Sequence, residues 1–366
     1  MAKLIALALL CCSTVASAQT ADWESRLNSL VAAARQEGKV VVLGPPDPEV
    51  RRDLPAAFKA RFGVTVEFLG GRSTEAAAKL RSERAAGVYT ADILFGGSDT
   101  MAAVYYAEKM MAPLKSELFL PDALDGTKWI GGKLWFMDPE GTRVLRLFNT
   151  VTPSFHINTR QVNSDELTSA RDLLNPKWRG KISAHDPTVG GSGIGKATRF
   201  YLRFGEAFLK QIYVDQKIAI ARDRRQLTDW LVHGAYPISL DAEDDQLERL
   251  RQEGIPVAAV YRLSDMEATV SAGVGQMAIA DRAPHPHAAK LFANWMASKE
   301  GMEIYARGRG EAPTRNDIDA RAFVPAERIP QDGGNYFDMH DWNTAVIARQ
   351  KVRVLMQDLL RARRND

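Results

Sequence analysis

The chain has 366 residues, 45% hydrophobic and 25% charged, with a formal net charge of +3. This is the composition of an ordinary folded protein, long enough for two hydrophobic cores. A charge so near balance leaves no electrostatic footprint for nucleic acid and suits a small anionic ligand only mildly.

The first segment reads as a leader. Lys3 precedes an apolar run, Leu4 to Leu10, and Ala16-Ser17-Ala18 follows before Gln19. A charged start, a short apolar stretch and a small-residue end mark a cleavable secretory signal over 1–18. The run is too short for a membrane span, which needs about 20 residues. Both cysteines, Cys11 and Cys12, lie in it without the small-residue setting of a lipid-anchor motif. The exported chain is therefore expected to have no disulfide, thiolate metal site or cysteine nucleophile.

Helices and strands then alternate. Residues 23–37 predict an amphipathic helix with Trp23, Leu27, Leu30 and Val31 on one face. A strand over 39–43 ends at Gly44-Pro45-Pro46. A helix over 48–61 leads to a strand over 64–69, ending at Gly70-Gly71. A helix over 73–86 leads to a strand over 91–95, ending at Gly96-Gly97-Ser98-Asp99. Repeated strand–loop–helix units predict an α/β fold with a mostly parallel sheet flanked by helices. In such sheets ligands collect beyond the carboxyl ends of the strands, so the three glycine loops predict one wall of a cleft.

Residues 113–150 carry Trp129, Trp135 and Phe136 without a helical pattern, and 155–160 read as a crossover into a second unit. That unit has expected strands at 181–184, 218–220, 236–240 and 257–261. Its expected helices lie at 194–212, 224–232 and 243–253. A helix pair over 285–308 returns to the first unit. The predicted division is a signal at 1–18, lobe 1 from 19–152 and 272–330, lobe 2 from 153–271, and a C-terminal helical extension at 331–366. The tail from Asn343 mixes apolar and basic residues, and reads as a helix packed across the lobes in preference to one lying on anionic lipid.

Several stretches together resemble one family. They are GKVVVLGPPDPE (38–49), FKARFGVTVEFLGGRSTE (58–75), LRSERAAGVYTADILFGGSD (80–99), Asn175 to Ile182 followed by Asp186-Pro187-Thr188, LDAEDDQLERLRQEG (240–254) and HPHAAKLFANWMASKEG (285–301). The series is similar to bacterial extracellular solute-binding proteins of ABC importers, in the branch that includes ferric-iron-binding proteins. The resemblance implies a two-lobed type II periplasmic-binding-protein fold in the periplasm. It also implies a monomer without catalysis or cofactor that captures a small solute and delivers it to an inner-membrane ABC permease. In iron-binding members an adjacent tyrosine pair follows the strand ending near residue 241; here Asp244-Asp245 stands in its place.

The richest local feature is the turn from Asp186 to Thr198. Gly190, Gly191 and Gly193 at a helix entry present backbone N–H groups beside the positive end of the helix dipole, and Thr188 and Ser192 add hydroxyls. That makes a seat for a carboxylate, phosphonate or phosphate; a plain capping loop is the alternative. The segment narrowly misses a nucleotide-binding P-loop, since Ala197 stands where Ser or Thr must hold magnesium. It also misses a hydrolase elbow, where Ile194 replaces the final glycine. Asp241 and Asp244 suit an ammonium or a hard divalent cation, while N-capping explains such acids equally well.

On the opposite wall the candidates are Arg72, Ser73, Ser98 and Asp99, with Arg72 able to fork onto a carboxylate or simply to sit in solvent. His156 and Asn158 read as hinge packing, and His285 and His287 as solvent-exposed loop residues. Asp338 to Trp342 fits a helix entry or a divalent-ion site. The expected solute is an organic anion or zwitterion such as a carboxylate or aminophosphonate. Ferric iron or another metal is the alternative within the family, and an exported enzyme the alternative outside it.

Overall fold

A computed structural model describes residues 22–331 and 333–365, so the leader expected over 1–18 lies outside the described residues. Helix α1 (22–37) stops at Gly38, whose φ of 78° only glycine adopts easily. The run β1 (Lys39–Gly44) is buried from Val40 onward, as expected for a strand covered on both faces. Pro48 opens α2 (Pro48–Phe62), where its missing N–H costs nothing, and Gly63 closes it in the left-handed conformation. Then come β2 (Thr65–Gly70), α3 (Ser73–Ala85) and β3 (Ile93–Gly96). A short helix, α4, begins at Ser98–Thr100 and continues as a π-helical stretch, Met101–Tyr106.

The first five-stranded sheet has the order β2-β1-β3-β12-β4, with β4 at Leu145–Arg146 and β12 at Gln276–Ile279. β1 is parallel to β2 and β3, the strands joined by helical crossovers. β12 is antiparallel to both β3 and β4. Its core centres on Phe58, whose ring lies 5.0 Å from Phe62 and 5.2 Å from both Phe292 and Trp295.

β5 (Thr150–Thr152) leads into β6 (Phe155–Asn158) and the second five-stranded sheet, order β10-β6-β9-β7-β8. Its other strands are β7 (Ile182–His185), β8 (Ala219–Ala221), β9 (Ile238–Ser239) and β10 (Val257–Val260). Helices α5 (Ser192–Phe204), α6 (Arg224–Val232) and α7 (Asp244–Gln252) cover it. The helix expected over 194–212 breaks at Gly205, with φ 84°, into α5 and shorter pieces. Phe155, Ile182, Phe200, Ile212 and Ile238 belong to a second core, separate from the first.

Strand β11 (Ala268–Ser271) returns the chain. It pairs antiparallel with β5 and parallel with β13 (Tyr336–Asp338), forming a third, three-stranded sheet between the other two. Helices α8 (Pro286–Ala297) and α9 (Lys299–Arg309) pack in the first core. The tail then straddles both lobes. Trp342, Ala345 and Val346 pack with Leu43 and Tyr105, while Val352, Met356 and Leu360 of α10 (Arg349–Asn365) pack in the second core.

His285 is not a solvated loop residue, whereas His287 is exposed as expected; carboxylates hold both at the start of α8. Asp92 accepts from His285 N at 2.7 Å and lies 2.8 Å from its Nδ1. Glu37 accepts from Ala288 N at 2.8 Å and lies 2.7 Å from His287 Nδ1. Burial opposes the charge on Glu37, but the bonds from Ala288 and His287 outweigh it and hold the carboxyl below its ordinary value. A depressed acid stabilises the fold above its unfolded pKa and loses that contribution as pH falls. Wild-type protein is therefore expected to lose more stability than Glu37→Gln between neutral and acidic pH, measured by urea unfolding at each pH.

Candidate functional site

The glycine turn lies where β7 passes into α5, and steric space dictates its sequence. A Cβ on Gly193 would lie 2.2 Å from the His185 carbonyl oxygen. Gly191 has φ 129°, and a Cβ there would meet the His185 ring at 2.9 Å. Both positions therefore require glycine. Gly193 N lies 3.3 Å from His185 Nδ1, and Ser192 Oγ lies 3.4 Å from the same nitrogen. Thr188 bonds within the turn, donating from N at 2.9 Å and Oγ1 at 2.6 Å to Asp186. Against the effect of burial, these bonds and the Arg222 ion pair hold the Asp186 carboxyl below its ordinary value.

The turn meets the opposite lobe directly. Gly191 N donates to Asp99 Oδ2 at 3.0 Å, and the other Asp99 oxygen accepts from Arg349 Nη1 at 3.1 Å. Arg349 also donates to Ser98 Oγ at 3.0 Å and to the Met339 carbonyl at 3.2 Å. Arg353 Nη2 lies 3.8 Å from Asp99. Ser98, Asp99, Gly190 and Gly191 thus come together, with Gly190 beside the Asp99 carboxylate. Ser73 borders Gly96 at the rim of this group. Arg72 is exposed at the N-cap of α3 and is not part of the described contacts here.

A second polar chain crosses between the lobes. Asp244, at the start of α7, has Oδ1 3.0 Å from His156 Nε2 and Oδ2 3.4 Å from Arg328 Nε. Arg328 reaches Glu311 at 3.4 Å, and Glu311 lies 4.0 Å from Arg309, which pairs with Asp47. Burial opposes ionisation of Asp244, yet His156 and Arg328 hold its pKa below the ordinary value. Burial raises the Tyr261 phenol, and nearby Asp244 adds to the effect. Asp241 is buried and accepts from His185 N at 3.2 Å, bracing β7. Among the described residues, no group of three or more His, Cys, Asp or Glu side chains is placed to hold a metal ion.

These contacts join groups from the two sheet units, which the paired strands β5 and β11 connect. The sequence profile of the bacterial extracellular solute-binding proteins matches residues 53–329. The chain belongs to that family. Solved structures of similar fold include iron-bound HitA from Pseudomonas aeruginosa, with 16% identity and TM-score 0.63, covering 88% of this chain and 99% of that one. The Trichodesmium protein IdiA (FutA), in complex with iron and citrate, has 15% identity and TM-score 0.66, with the same coverage. AfuA from Actinobacillus pleuropneumoniae, with exogenous fructose-6-phosphate bound, has 16% identity and TM-score 0.65, covering 88% and 98%. The two-lobed fold of these solute-binding proteins is the fold of this chain.

Sequence reasoning missed several polar groups of this region. His185 ends a buried strand, and nothing local distinguishes it from packing. Arg349 is 250 positions from Asp99 and carries no periodic signal linking the two. Arg328 and Glu311 lie in an irregular segment without element patterning. Lys196, read only as a P-loop near miss, braces the hinge by donating to the carbonyls of Pro153 at 2.9 Å and Ser154 at 2.6 Å.

Burial pushes the Lys196 ammonium down to about 8, against the pull of Asp241. The folded state therefore binds fewer protons than the unfolded one above that pH, and stability rises toward the ordinary lysine value of 10.5. Urea unfolding of wild type and Lys196→Met is expected to show this rise in the wild type alone. At the turn, Gly193→Ala is expected to cost about 2 kcal/mol or more, since a backbone carbonyl blocks the methyl. Gly190→Ala, whose methyl would meet only the Asp99 carboxylate at 3.8 Å, is expected to change stability little. Thermal denaturation compares the two.

Proposed function

We propose that this protein is the periplasmic substrate-binding component of an ABC importer, and that it closes its lobes around a small organic anion or zwitterion. It works as a monomer that hands its solute to the inner-membrane permease and catalyses no reaction. The observation that carries the solute class is the bond from Gly191 N to Asp99: the glycine turn of one lobe receives a carboxylate from the other. A solute carboxylate or phosphonate uses the same donors. A solute ammonium directed at Asp244 would have to displace His156 or Arg328, which engage its two oxygens. Closure is driven only by contacts the solute makes better in the closed state.

The metal reading draws on the iron-bound HitA and on IdiA with iron and citrate. It is the weaker one for this chain. Both oxygens of Asp244 are engaged by His156 and Arg328. AfuA, bound to a sugar phosphate, is the more instructive comparison in chemistry.

A thermal-shift screen of the exported chain tests the proposal with carboxylates, aminophosphonates, sugar phosphates, amines and metal salts. A ligand at 100 times its Kd stabilises the fold by about 2.7 kcal/mol, a rise of roughly 3 to 4 °C for a protein of this size. Such a rise is expected with an acid-bearing organic solute. A rise only with ferric salts, abolished by chelator, would replace this reading with the metal one.

A further inference from the structure

We propose that Asp99 is an internal occupant of the anion seat: its carboxylate latches the two lobes without solute, and the acid group of an arriving solute displaces it from Gly191 and Arg349. The proposal rests on the preceding reading that the solute carries an acid group.

Asp99 ends the glycine loop after β3 in lobe 1, yet its partners come from elsewhere in the chain. Gly191 is 92 positions away in lobe 2, and Arg349 is 250 positions away at the start of α10. The contact is therefore an interlobe bridge and not local loop geometry.

Charge makes the seat need an occupant. Arg349 is 5% exposed, and a guanidinium that deep is costly without a negative partner. The end of α5 adds partial positive charge at the same point. If the lobes are closed, an anion must sit there, whether Asp99 or the solute. An exchange of one acid for the other preserves the charge balance.

The seat also holds more donors than one carboxylate uses. Nε of Arg349 and Nε of Arg353 are both buried without a hydrogen-bond partner. A bound oxyanion with further oxygens can engage them, which Asp99 does not. The Asp99 side chain remains 22% exposed, so water and solute reach it while the latch is closed.

The test uses the exported chain with Asp99→Asn and Asp99→Ala; removal of the buried Arg349 threatens folding and is avoided. Circular dichroism and melting temperature verify that the variants fold. Small-angle X-ray scattering without solute is expected to give a larger radius of gyration for Asp99→Ala than for wild type. Calorimetry with methylphosphonate and acetate, as bare acid groups, is expected to show about tenfold tighter binding to both variants, because the internal competitor is gone. An unchanged radius together with unchanged or weaker probe affinity overturns the latch. Failure of the acid-solute reading looks different: Asp99→Ala opens the protein, but neither probe binds any variant, which overturns displacement by an acid.

Discussion

At the start of α5 the chain runs so close to β7 that a methyl group on Gly193 would lie 2.2 Å from a backbone oxygen of His185. That approach fixes where the first N–H groups of the helix point. Gly193 N turns back onto the His185 ring, while Gly191 N, one residue before the helix, faces the Asp99 carboxylate. The cost is borne by sequence, since His185 accepts from Gly193 and two positions must be glycine. The Asp186–Thr188 bonds hold the preceding loop so that the aim is kept.

The proposed closure joins two units with separate cores. Phe58 and Trp295 anchor one core, while Phe155 and Phe200 belong to the other. Between them run the paired strands β5, β11 and β13, with Lys196 bonded to the crossing segment. Opening the lobes therefore breaks polar bridges such as Gly191–Asp99 and Asp244–Arg328 more than apolar packing. Polar bridges exchange with water or solute at modest net cost, whereas separating a packed core does not. The C-terminal segment adds a third connection, for it packs on lobe 1 at Trp342 and on lobe 2 at Val352. Arg146 reinforces it with two 2.7 Å bonds to Asp338.

Much of the fold was legible because local chemistry and tertiary position agree. The run Val40–Leu43 is buried as an apolar strand should be, and Pro48 and Gly63 bound α2 as a start and a stop. The strand order was not legible: β12 enters the first sheet from the far end of the chain and runs antiparallel there. The crowded glycine turn at the entry of α5 could be read from its spacing alone. Its partners could not. Arg349 and Asp99 meet only through the fold, and His285 seemed a loop residue until Asp92 and α8 gave it a place. Thr188 shows the opposite limit, since its hydroxyl faces a nearer acceptor, Asp186, than any solute.

The most direct measurement is a crystal structure of the protein with the organic acid that stabilises it most. The expected result is the acid group between the lobes, hydrogen-bonded to Gly191 N and the Arg349 guanidinium. A solute bound outside the cleft, or a metal ion held on Asp244, would contradict it.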